Sequence, residues 1–108
     1  MKQINIKPLS VNQAWQGKRF KTSDYKAFEM EIWGKLPRRE IPKKGKLFIH
    51  YQFGLSNKGA DYDNCIKVFQ DILQRKYGFD DNRIYRAVIE KIDVKKGDEF
   101  IRFKIESL

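Results

Sequence analysis

Between Leu47 and Leu55 the chain alternates without a break, with Leu47, Ile49, Tyr51, Phe53 and Leu55 on one side and Phe48, His50, Gln52 and Gly54 on the other. Nine residues of period two predict a strand with one strongly apolar face. Such a face must be covered. Two stretches can cover it. Tyr25, Phe28, Ile32, Trp33 and Leu36 fall on one helical face, with Thr22 or Ser23 as N-cap, which predicts a helix to about Lys35. Ile66, Phe69, Ile72, Leu73 and Tyr77 predict a second helix over about Asn64–Tyr77, closed by Gly78 as C-cap.

Around these lie shorter strands. Lys2–Ile6 alternates polar and apolar and stops at Pro8. Ile84–Val94 and Phe100–Ile105 read as two further strands joined across Lys95-Lys96-Gly97-Asp98, a candidate hairpin turn. The order is β-α-β-α-β-β. The expectation is therefore an α+β fold in which residues 1–108 form a single domain, a mixed sheet of about four strands carrying two helices on one face. At 108 residues there is no room for a second core. Eight Phe, five Tyr and two Trp supply enough apolar bulk to exclude disorder despite 34% charged residues. Leu9–Lys21 has no clear period, mixes Trp15 and Phe20 with Lys18, Arg19 and Lys21, and reads as a functional loop.

Charge narrows the partners. Residues 1–60 hold thirteen Lys and Arg against four Asp and Glu, whereas residues 61–108 hold ten of each, so the whole formal charge of +9 lies in the first part. Lys18, Arg19, Lys21, Arg38, Arg39, Lys43, Lys44 and Lys46 read as a phosphate-binding field. The last five stand in the run Pro37–Lys46, which the prolines mark as an exposed loop. No stretch approaches the roughly 20 apolar residues of a membrane span, and no cationic amphipathic helix or secretory signal is evident. A cytoplasmic protein with no membrane partner is expected. The single cysteine, Cys65, permits neither an internal disulfide nor a zinc site, and no His or other base stands within reach to make it a nucleophile.

The chemistry concentrates in Asp61-Tyr62-Asp63-Asn64-Cys65-Ile66-Lys67 and in Asp80-Asp81 beyond the second helix. Close carboxylates repel unless a cation or protons compensate. Asp61 and Asp63, two apart in a segment still extended, would point to one side and could share Mg²⁺, which takes oxygen ligands. Such an ion neutralises charge developing on a phosphodiester and lowers the pKa of water. Lys67, about a turn after Asp63, could steady the same phosphate. Asp63 reads equally as a helix cap, and Asp80-Asp81 as a polar turn. The pattern lacks the glycine and distal glutamate of an EF-hand.

The motif Asp61-x-Asp63-Asn64-x-x-Lys67, the helix after it, Gly78-Phe79-Asp80-Asp81, and the strand Ile84–Ile89 ending near Lys91 together resemble the core of the RusA family of Holliday-junction resolvases. Ser10-Val11-Asn12-x-x-Trp15, Arg19 and Thr22-x-x-Tyr25-Lys26 extend the resemblance towards the N-terminus. It implies a bacterial or phage-encoded, nucleoid-associated homodimer. That dimer would bind four-way DNA junctions and cut symmetrically related strands in recombination and repair, using Mg²⁺ or Mn²⁺. Carried over by position, it makes Asp61, Asp63 and Asp81 the catalytic, metal-binding carboxylates and Lys67 the essential base. Asn12, Trp15, Lys18, Arg19, Lys21, Lys58 and Lys67 become nucleic-acid contacts. Where the family often has a basic residue before the first aspartate this chain has Ala60, so a phosphate contact there falls to Lys58 or elsewhere. The alternative is a non-catalytic basic nucleic-acid-binding module with the acids as caps.

Overall fold

A computed structural model describes residues 1–16 and 20–108, leaving out the side chains of Asn12, Trp15, Gln16 and Phe20. Its elements are β1 (Lys2–Ile4), α1 (Val11–Ala14), β2 (Trp15–Gln16), β3 (Phe20–Lys21), α2 (Ser23–Lys35), β4 (Leu47–Leu55), a 3₁₀ turn (Tyr62–Cys65), α3 (Ile66–Tyr77), a 3₁₀ turn (Asp81–Arg83), β5 (Ile84–Asp93) and β6 (Phe100–Ser107). The long elements keep the expected β-α-β-α-β-β order. Where the sequence suggested an irregular loop at Leu9–Lys21, α1 and a two-stranded ribbon of β2 and β3 appear instead.

The main sheet runs β1-β6-β4-β5. β4 is antiparallel to β6 and parallel to β5. The expected hairpin between β5 and β6 is therefore absent, because β4 lies between them. A helix-containing crossover such as α3 lets consecutive strands run parallel, whereas a tight turn alone does not. The segment Lys95–Asp98 is still a turn, closed by the Asp98 amide donating to the Lys95 carbonyl at 2.9 Å, but it carries the chain across the end of β4.

Helix boundaries follow local chemistry. Thr22 caps α2, its Oγ1 accepting from the Tyr25 amide at 3.2 Å. Gly78 closes α3 at φ +69°, a left-handed conformation that glycine adopts without strain. Both helices cover the apolar face of β4. At the centre sits Phe69 of α3, edge-on to Tyr51 at 5.4 Å and to Phe103 at 5.6 Å between ring centroids. Phe69 is 1% exposed, so its truncation to Ala would cost about 3–5 kcal/mol. One residue expected on this face is not there. Trp33 is 40% exposed and lies beneath the ammonium of Lys76, 4.9 Å from its ring centre.

The other face of the sheet is open and mixed in character. His50 hydrogen-bonds to Glu90, and Gln52 donates to the same carboxylate at 3.0 Å. Those bonds, the one from Gln52 foremost, hold the Glu90 carboxyl below its ordinary pKa. His50 thus has the structural role its alternation suggested.

Candidate functional site

The chain leaves β4 at Leu55 and turns through Ser56–Ala60. Asn57 Oδ1 accepts from the Gly59 amide at 2.9 Å, and the Ala60 amide donates to the Asn57 carbonyl at 3.1 Å. Two outside groups fasten this turn. Ser56 Oγ donates to Glu99 at 2.8 Å, and Lys91 Nζ donates to the carbonyls of Lys58 and Ala60, both at 2.7 Å. Sequence reading marked Lys91 only as the end of a strand. Its contact is made possible by the parallel pairing that places Lys91 opposite Phe53, near the end of β4.

Asp61 follows in extended backbone, φ −76° and ψ 141°, and Asp63 lies in the first turn of the 3₁₀ segment. The extended stretch expected through both residues therefore ends at Asp61, and strand alternation is not what positions the pair. Both residues are exposed, flanking the exposed Tyr62. Capping does not account for them. Asp61 occupies the N-cap position of the 3₁₀ turn but makes no capping side-chain bond, and the N-cap of α3 is Cys65. Cys65 is 5% exposed, and burial pushes its thiol pKa up to about 11, which fits an anchor rather than a nucleophile.

Lys67 stands on the first turn of α3, with Nζ 3.0 Å from Asp71 Oδ1, one turn further along the helix. Its side chain is 67% exposed, so this pair is surface-screened and weak. Lys21 is engaged too, 3.6 Å from Glu29 and 4.8 Å from the centre of the Tyr25 ring. Burial lowers the pKa of Lys21, with the nearby Arg75 guanidinium adding to the effect. Lys58 is exposed on the turn before Asp61.

The fold brings the N-terminal motif to the same place. α1 packs against α3 and the Tyr62–Cys65 turn. Ser10 and Gln13 cap it reciprocally, the Gln13 amide donating to Ser10 Oγ at 3.3 Å and the Ser10 amide to Gln13 Oε1 at 3.4 Å. Between α1 and the end of β4 opens a cleft of about 320 Å³ lined by Ser10, Gln13, Asn57, Ala60, Asn64 and Glu99, among others. The side chains of Asn12 and Trp15 and the residues Lys18 and Arg19 lie outside those described.

Asp81 does not join this group. Leu55 pairs with Asp93 and Leu47 with Ile84, so the segment before β5 sits at the opposite end of the sheet from the segment after β4. The expected return of Asp81 to Asp61 and Asp63 does not occur within one chain. Among the described residues no three of His, Cys, Asp or Glu are grouped to hold a metal ion. Asp80 does cap the Asp81–Arg83 turn, its Oδ1 accepting from the Asn82 amide at 3.0 Å, while Asp81 is exposed in that turn. The Pro37–Lys46 loop shares this end. Arg83 Nε donates to the Gly45 carbonyl at 3.0 Å, and Arg83 also bonds the Pro42 carbonyl. Within the expected phosphate field, Arg39 is used internally, donating to the Ile105 carbonyl at 3.1 Å.

Asp61 and Asp63 offer hard oxygen donors, and Mg²⁺ commonly takes one or two carboxylates and keeps several waters. The donor set fits a hydrated divalent cation. None of the described helices is long and apolar enough to cross a membrane. Residues 8–106 match the protein family described as Endodeoxyribonuclease RusA. A comparison with curated proteins found no match.

Proposed function

The chain belongs to the RusA endodeoxyribonuclease family, and from that premise we propose that it is a Mg²⁺-dependent enzyme that resolves four-way DNA junctions. It would act as a homodimer making paired, symmetric cuts in recombination and repair. The observation that carries this reading is the exposed pair Asp61 and Asp63. Capping does not account for them, and they sit on a turn fastened by Lys91 beside the cleft containing Ser10 and Asn64.

Asp61, Asp63 and Asp81 would hold the cation, with Mn²⁺ able to substitute. When bound, the ion neutralises charge on the phosphate and lowers the pKa of water. Lys67 reaches the scissile phosphate by leaving its weak surface pair with Asp71, and its charge steadies the transition state. Lys58, Lys21 and the Pro37–Lys46 loop contact flanking phosphates, which makes binding salt-dependent. The single-sign charge of residues 1–60 favours that partner.

A synthetic four-way junction tests the reading. Wild-type protein is expected to cut it with Mg²⁺ and to stop when EDTA is added. Asp61→Asn is expected to abolish cutting while binding the junction as tightly or more tightly, because a negative charge leaves the DNA-facing site. Normal cutting by Asp61→Asn would overturn the assignment, and no EDTA-sensitive cutting by wild type would favour a binding module instead.

A further inference from the structure

Asp61 and Asp63 follow the end of β4, and Asp81 precedes the start of β5. Because the two strands run parallel in register, the groups are separated by roughly 25–30 Å of sheet. α3 spans only about 18 Å of that and leads away from the pair. Within one protomer the three carboxylates cannot meet. A two-fold copy can reverse the direction.

β5 offers the surface. It is the edge of the sheet, ten residues long, and among the described residues its outer side pairs with no strand. Tyr85 is 64% and Val88 38% exposed, and Ala87 is exposed as well. A long edge with apolar side chains is a template for pairing with another strand. Two copies related by a two-fold axis pair antiparallel, so the start of one β5 lies beside the end of the other.

Charge selects the register. With the axis at Val88, Arg86 stands opposite the partner's Glu90, Ile84 opposite the partner's Ile92, Tyr85 opposite the partner's Lys91, and Ala87 opposite the partner's Ile89. Moving the axis to Ala87 would set Glu90 against Ile84, and moving it to Ile89 would set Arg86 against Ile92. Opposite charges across a strand pair are favourable, and a charge facing an apolar side chain gains nothing comparable. In the Val88 register the Asp81 segment falls beside the end of the partner's β5, where Lys91 holds the Ala60 carbonyl.

Building on the function proposed above, we infer that β5 pairs antiparallel with β5 of a second copy about an axis at Val88. Each cation site is then shared, with Asp61 and Asp63 from one protomer and Asp81 from its partner. The same pairing carries the Pro37–Lys46 loop, tied to the Asp81 turn by Arg83, towards the partner's site.

Cross-linking reads the interface without DNA or metal. Val88→Cys is expected to give a disulfide-linked dimer under mild oxidation that dithiothreitol reverses, whereas Met30→Cys, 77% exposed on α2, stays monomeric on the gel. Arg86→Glu and Glu90→Arg are each expected to weaken dimerisation about tenfold in light scattering, and together to restore it. Val88→Cys cross-linking no better than Met30→Cys would overturn the interface. Sharing of the site is read by co-expressing Asp61→Asn with Asp81→Asn, both inactive alone. A shared site leaves one intact centre per mixed dimer and recovers about a quarter of the wild-type nicking. A site within one chain recovers none, and that result would overturn the sharing. If wild type cuts no junction, the function falls while the cross-link still judges the interface.

Discussion

The ammonium of Lys91 donates to the carbonyl of Ala60 at 2.7 Å, so the edge strand holds the residue immediately before the first candidate ligand. A second bond at the same distance goes to Lys58. Lys91→Met keeps the stem and removes both bonds. Cleavage is expected to fall about tenfold through misplacement of Asp61. Charge-assisted bonds near the surface make modest contributions, so stability should drop by about 1–2 kcal/mol. Steady-state junction cleavage and urea unfolding of the same preparation check the two halves.

Lys67 and Asp71 give a second expectation. Their exposed pair contributes within about 0.5 kcal/mol, so Lys67→Ala should leave the melting temperature nearly unchanged. Cleavage should nevertheless fall about 100-fold if the ammonium steadies the phosphate. Asp71→Asn works in the other direction, releasing Lys67 and removing a negative charge. Junction affinity at low salt should rise a few-fold, with the gain fading as salt screens it.

Gly54 tests packing on the open face. A Cβ built there would stand 2.4 Å from a ring carbon of Phe100, whose other side carries Arg102 at 4.2 Å from the ring centre. Gly54→Ala therefore forces the ring out of place and should cost about 1–3 kcal/mol by chemical denaturation.

Cys65 sets an alkaline boundary. Its thiol pKa is raised from 9.0 to about 11 by burial, so the fold prefers the neutral form. That preference contributes stability fully below about pH 9 and loses it as pH climbs through about 11, an effect of roughly 2–3 kcal/mol. Iodoacetamide at neutral pH should label native protein far more slowly than urea-unfolded protein. Replacing Cys65 with Ala should flatten the loss of stability between pH 8 and 11.

What could be read from the sequence followed from local rules. Tyr25, Phe28 and Ile32 repeat at helical spacing and are buried, Thr22 caps as its side chain allows, and Gly78 takes the left-handed position. Trp33 misled because it adjoins Ile32 on the helix wheel, yet a ring that size can lie at the rim under Lys76. The turn at Lys95–Asp98 is real, but a turn does not choose a strand's partner, and the parallel alignment imposed through α3 did. That alignment is also why Asp81 could be identified by motif yet not placed. Its end of the sheet depends on strand direction, which residue spacing does not encode. Lys91 was invisible for the same reason, since its partners are backbone carbonyls thirty residues away.

β6, the last strand in chain order, lies between β1 and β4. During synthesis the two earlier strands therefore wait with no neighbour to pair with, and β5 can add only to one side of β4. The apolar face of Ile101, Phe103 and Ile105 closes the core last. Such a layout makes folding slow for the chain's size, because most of its strand contacts are long in sequence. It also makes the nascent chain, rather than the finished one, the form most exposed to proteases and to mispairing.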